Sequence, residues 1–170
     1  MFKLKIKEMK KYIIITVALF INCILTVSAQ NNNNPLLGHW QWVNGNTTFK
    51  VELFLIADGS IEGHYSLIET TNGLQTTIYS SNKDFGNGYF WGPCIYGSNT
   101  TSFKGIVTDN TINYPGYSHI DGNLQIEIIP SSGLGSIQAK WTVKYKSGLR
   151  LNTDLREFNI PTDIILTKVQ

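Results

Sequence analysis

Residues 38–69 read GHWQWVNGNTTFKVELFLIADGSIEGHYSLIE, and the rhythm of this stretch decides the fold. Phe49, Val51, Leu53 and Leu55 alternate with Thr48, Lys50, Glu52 and Phe54; Ile61, Gly63, Tyr65 and Leu67 alternate with Glu62, His64 and Ser66. Successive side chains of a strand point to opposite faces, so each run predicts a strand with one dry face and one wet face. Asn44-Gly45 and Asp58-Gly59 punctuate the runs. Both dipeptides supply the positive φ that a tight hairpin needs, so neighbouring strands are expected to pair antiparallel.

The same pattern continues along the chain. Ile137, Ala139, Trp141, Val143 and Tyr145 alternate with Gln138, Lys140, Thr142, Lys144 and Lys146, and Leu124, Ile126 and Ile128 form a further run. More turn signals stand at Asn72-Gly73, Asp109-Asn110, Asp121-Gly122, Ser131-Ser132-Gly133 and Ser147-Gly148. Beyond the first 29 residues no window keeps apolar residues three and four apart, so no long helix is predicted there. The expected fold is all-β: a single antiparallel up-and-down β-barrel of about eight strands, with a β-sandwich as the alternative. Closure is favoured because it removes the strand edges that invite aggregation, and because the close turn spacing suits a meander.

The ends of the chain read differently. Lys3, Lys5, Lys7, Lys10 and Lys11 precede an apolar run, Tyr12 to Leu25, which is followed by Val27-Ser28-Ala29. This is the order of a secretory signal peptide, and the run is shorter than the roughly 20 apolar residues of a membrane span. Phe20-Ile21-Asn22 ahead of Cys23 lacks the small residue that lipid attachment requires, so cleavage is expected after Ala29. The expected organisation is a signal peptide at 1–29, a flexible Asn-rich lead at 30–36 and a barrel domain at 37–170, with the product secreted or periplasmic and not membrane-spanning.

Removing residues 1–29 takes away five lysines and Glu8, which leaves nine basic against eleven acidic residues and a net charge of −2. The overall basicity therefore belongs to the signal. Without a basic run, nucleic acid is excluded as a partner. Only Cys94 survives maturation, so no internal disulfide forms and stability must come from the core.

The inventory of reactive groups points away from catalysis. His39, His64 and His119 are scattered, no His-x-x-x-His or cysteine pair suggests a metal, and Gly86-Asn87-Gly88 lacks the lysine of a phosphate loop. No cofactor is expected. Glu52 and Glu62 could face each other as an acid and base, but both fall on wet faces and read as solvated charge. Phe85 to Tyr96 differs, being dense in aromatics and glycines without clean alternation, as a mouth loop or a lid would be.

Gly38-His39-Trp40 resembles the Gly-x-Trp signature on the first strand of lipocalins and their calycin relatives, and Asp58 to Tyr65 resembles the second hairpin of avidin-type barrels. The avidin comparison implies no biotin: Tyr65 matches a ligand-bonding tyrosine, but Trp42 and Leu67 stand where an asparagine and a serine are required. A fuller resemblance is to an uncharacterised family of small secreted bacterial domains, carried by Gly38, Trp40, Trp42 and Asn44-Gly45-Asn46 at one end and Pro161-Thr162-Asp163-Ile164-Ile165-Leu166-Thr167-Lys168 at the other. It implies a lipocalin-like barrel and no activity.

The function expected from these readings is a secreted noncatalytic barrel binding a small apolar or amphipathic ligand. Trp40, Trp42, Phe49 and Tyr65 on inward faces, with Tyr89, Phe90 and Trp91 at the mouth, would line the pocket, and Tyr65 would be its polar handle. The alternative is a protein-interaction or cell-envelope accessory module with a solid barrel interior.

Overall fold

The structure is a computed structural model that describes residues 34–84, 88, 91–98, 102–130, 136–146 and 156–169. Nine strands follow in order: β1 (Gly38–Asn44), β2 (Thr47–Leu55), β3 (Ile61–Thr71), β4 (Leu74–Ser80), β5 (Ile95–Gly97), β6 (Ser102–Asp109), β7 (Ile120–Ile129), β8 (Gln138–Tyr145) and β9 (Asp163–Lys168). No helix occurs among the described residues. Eight strands close into a ring, β1-β2-β3-β5-β6-β7-β8-β9 and back to β1, with every pairing antiparallel. The meander is interrupted once: β4 pairs only with β3 and stands outside the ring.

Turn chemistry sets the registers. Gly45, at φ 59°, opens the two-residue loop that pairs Asn44 with Thr47, and Asn72-Gly73, at 52° and 79°, makes the loop between β3 and β4. In the longer β2–β3 loop the Asp58 carboxylate accepts from Ser60 N and Oγ at 2.8 and 2.6 Å, which holds that carboxyl below its usual pKa.

Asp121-Gly122 is not a turn. It lies inside β7, with Gly122 opposite Val107 on one side and Tyr145 on the other. A Cβ at Gly122 would meet Val143 Cγ1 at 2.7 Å and Phe158 Cζ at 2.8 Å, so this glycine marks a close approach within a strand. The turn signals at 131–133 and 147–148 fall outside the described residues, as does the expected signal peptide at 1–29. Among the described residues no helix is long and apolar enough to cross a membrane.

The inward faces fill the ring. Trp40, Phe49, Tyr65, Phe103 and Trp141 are each no more than 2% exposed, and the Phe49 ring lies 6.0 Å from Tyr65 and 5.7 Å from Trp141. Leu36, placed in the polar lead by the sequence reading, belongs to this core and is fully buried. Its carbonyl accepts from Trp40 Nε1 at 2.7 Å, while Pro35 O accepts from Lys168 Nζ at 2.7 Å. That ammonium lies 5.5 Å from the centre of the Trp40 ring, and burial holds it below the ordinary lysine pKa. The first described residues thus cap the end of the barrel where the β2–β3 loop also lies.

Candidate functional site

Of the seven side chains expected to line a pocket, Trp40, Phe49 and Tyr65 lie in the core, and Trp42 and Trp91 are partly buried at its margin. Tyr89 and Phe90 fall outside the described residues. Trp91 meets the His119 ring at 5.9 Å, edge to face.

Tyr65, the expected polar handle, has its hydroxyl committed inside the protein. It donates towards Thr108 O at 2.9 Å, lies 3.3 Å from Asp109 Oδ1, and accepts from Asn110 N at 3.2 Å. Burial, and after it the nearby Asp109 charge, push its pKa far up. Asp109 is itself fully buried. Its Oδ1 accepts from Thr111 N and Oγ1 at 2.9 and 2.6 Å, and its Oδ2 from Asn159 N and Ile160 N at 2.6 and 3.2 Å. Asn110 Nδ2 donates to Ser81 O at 2.7 Å, Ser81 Oγ accepts from Tyr65 N at 2.9 Å, and Lys83 Nζ donates to Asn110 O. This buried cluster therefore pins β3, the end of β6 and the segment leading into β9 together. Each member finds a partner, as buried polar groups must.

Reactive groups gather on the outside of the barrel instead. The register places His39 opposite Glu52 and Glu52 opposite His64, so the β1–β2–β3 outer face carries imidazole, carboxylate and imidazole in one row. The next row is Gln41, Lys50, Ser66 and Ser80. These residues, with Asn82, line a cleft of about 410 Å³. His64 Nδ1 is buried with no hydrogen-bond partner, and its ring lies 6.0 Å from Phe54. Among the described residues no three His, Cys, Asp or Glu side chains are grouped so as to hold a metal ion. The cleft can offer hydrogen bonds and charges of both signs to a polar group.

Two further sequence candidates separate. Glu62 pairs with Phe54 while Glu52 pairs with His64, so the two carboxylates are diagonal, not opposite, on the outer face. Cys94 is buried, its thiol pushed up to about 11 by that burial, and therefore lacks the thiolate character of a nucleophile. Read along the chain, His39 and His64 are scattered, and this histidine row is not visible in that reading. A register count through the two hairpin turns finds it, since a two-residue loop after Asn44 and a five-residue loop after Leu55 put residues 39, 52 and 64 in line.

No protein family, curated protein or solved structure matches this chain.

Proposed function

We propose that this chain is an exported, noncatalytic interaction module, a cell-envelope accessory barrel whose interior is solid and whose outer face does the binding. The observation that carries this reading is the Phe49 ring between Tyr65 and Trp141, aromatic packing that occupies the interior a ligand would need. An eight-stranded barrel has room either for side chains or for one small ligand, and the packing of these large rings favours the first. The outer cleft, lined by His39, Gln41, Lys50, Glu52, His64 and Asn82 among others, suits a polar group of a partner. The export reading draws on the signal pattern of residues 1–29, and the lipocalin-like reading on the resemblance of Gly38-His39-Trp40 to a Gly-x-Trp signature and of both ends of the domain to the small secreted family.

The second reading, a small apolar or amphipathic ligand inside the barrel, draws support from Trp42 and Trp91, which are only partly buried at the margin of the core. Titration of the exported protein with a long-chain fatty acid, read by tryptophan fluorescence and thermal unfolding, separates the two. The solid-barrel reading expects no saturable quenching and no rise in unfolding temperature with fatty acid. Saturable quenching with a concentration-dependent rise would establish the interior site in its place. Mass spectrometry of the same sample is expected to show a chain beginning at Gln30.

A further inference from the structure

We propose that the outer cleft binds a small zwitterion of dipeptide length, with its carboxylate on Lys50 and its ammonium on Glu52; the assignment rests on the reading of the outer face as the binding face. The register divides the cleft into two rows. In one, Lys50 stands between Gln41 and Ser66; in the other, Glu52 stands between His39 and His64. One concave surface therefore has a positive row and a negative row side by side.

Both charges are left open. Among the described residues the ion pairs join Lys140 to Asp163 and Lys146 to Asp121, and neither Lys50 nor Glu52 takes part in one. The two side chains share one face of β2 and are exposed, yet the structure holds them apart. An anion of single charge seated on Lys50 would be repelled by Glu52, and a cation seated on Glu52 would be repelled by Lys50. A molecule that carries both charges satisfies both rows. The neutral neighbours suit the same division: the Gln41 amide and the Ser66 hydroxyl can donate to a carboxylate, while a neutral imidazole nitrogen or the Glu52 carboxylate accepts from an ammonium.

The spacing of the rows sets the length of the ligand. Lys50 and Glu52 are two residues apart on a strand, about 6.6 Å along its axis. Two residues of an extended peptide span at most about 7 Å, so the free termini of a dipeptide match the rows, whereas the two charges of a single amino acid lie much closer together. The cleft, at about 410 Å³, falls within the roughly 300–1,000 Å³ of small-molecule sites.

Titration of the isotope-labelled exported protein with glycylglycine, followed by its backbone amide signals in nuclear magnetic resonance, tests the assignment. Saturable shifts are expected at His39, Gln41, Lys50, Glu52, His64 and Ser66, with a Kd of about 0.1–5 mM because both charges remain hydrated. Glycylglycinamide lacks the carboxylate, N-acetylglycylglycine lacks the ammonium and glycine is too short, so each is expected to bind at least about tenfold more weakly. Lys50→Met and Glu52→Gln are each expected to lose at least about the same factor, with an unchanged unfolding temperature because both side chains are exposed. Lys104→Met, on β6, is expected to leave the affinity unchanged. No saturation below about 50 mM, equal binding of glycine or of either blocked peptide, or affinity that survives Lys50→Met or Glu52→Gln overturns the proposal. The fatty-acid titration tests the interior on its own, so such a failure would remove the zwitterion and leave the solid-barrel reading standing.

Discussion

Replacing Asp109 with asparagine is expected to cost about 2–4 kcal/mol of folding free energy, although the two side chains are nearly isosteric. Both carboxylate oxygens act only as acceptors: Thr111 donates twice to Oδ1, and Asn159 N and Ile160 N donate to Oδ2. An amide has one accepting oxygen. Turned towards Oδ2's partners, its NH₂ group leaves Asn159 N and Ile160 N without an acceptor; turned the other way it orphans Thr111 N and obliges the Thr111 hydroxyl to rotate and accept, at a side chain with no exposure to water. Each such orphan costs about 1–3 kcal/mol, and the surviving bonds lose the assistance of the negative charge. Thr111→Val, which removes only the hydroxyl donor, is expected to cost about 1 kcal/mol. Urea unfolding of the three proteins gives the comparison, and an Asp109→Asn cost no larger than that of Thr111→Val would show that the cluster is not what holds this end of the barrel.

The contrast between Asp109 and Trp141 shows what the sequence could disclose. Trp141 stands in a strict alternation, so its burial follows from period two, and the structure leaves it with no exposure. Asp109 precedes an asparagine, a pair whose local chemistry is that of a turn, and it does lie where β6 gives way to a turn. Nothing local says that its carboxylate turns inward to collect donors from residues fifty positions away. That information resides in the closed ring, which brings the residues before β9 against the end of β6.

Glycine was ambiguous for a related reason. At Gly45 and Gly73 it supplies a left-handed turn, whereas at Gly122 it makes room for Val143 and Phe158, and the dipeptides around the three look alike in sequence. β4 was similarly hidden. Asn72-Gly73 announces a hairpin, but that its second strand would stand outside the ring depends on β5 taking up the same edge of β3. The candidate residues followed the same division: the inward positions of Trp40, Phe49 and Tyr65 were legible from alternation, while the engagement of the Tyr65 hydroxyl and the gathering of His39, Glu52 and His64 required pairing across strands.

Alkali is expected to unfold this protein in two overlapping steps, beginning near pH 9. Two buried acids, Cys94 and Tyr65, and the partly buried Tyr79 prefer their protonated forms in the fold. Burial pushes the Cys94 thiol up from 9.0 to about 11, and burial together with the Asp109 charge pushes Tyr65 and Tyr79 up from 10.0. Below those unfolded values both states hold the proton, and the stabilisation is fully present. As the pH rises past them the unfolded chain releases protons that the folded one retains, and stability falls by about 1.4 kcal/mol per pH unit for each group. Cys94 alone acts first and contributes a loss of about 2–3 kcal/mol that is complete near pH 11. The two tyrosines join from about pH 10 and by pH 12 remove roughly another 3–4 kcal/mol, Tyr79 contributing less than Tyr65 because solvent screens its partly buried hydroxyl, so the total reaches the lower end of the stability of an ordinary domain. Urea unfolding in steps from pH 8 to about pH 12 measures the slope. Cys94→Ala is expected to delay the onset to near pH 10, and Tyr79→Phe to reduce the steeper limb by about a third without moving the onset. Stability that stays level through pH 11 would mean that these side chains reach water in the folded protein, and with it that the interior is not the closed aromatic core on which the solid-barrel reading depends.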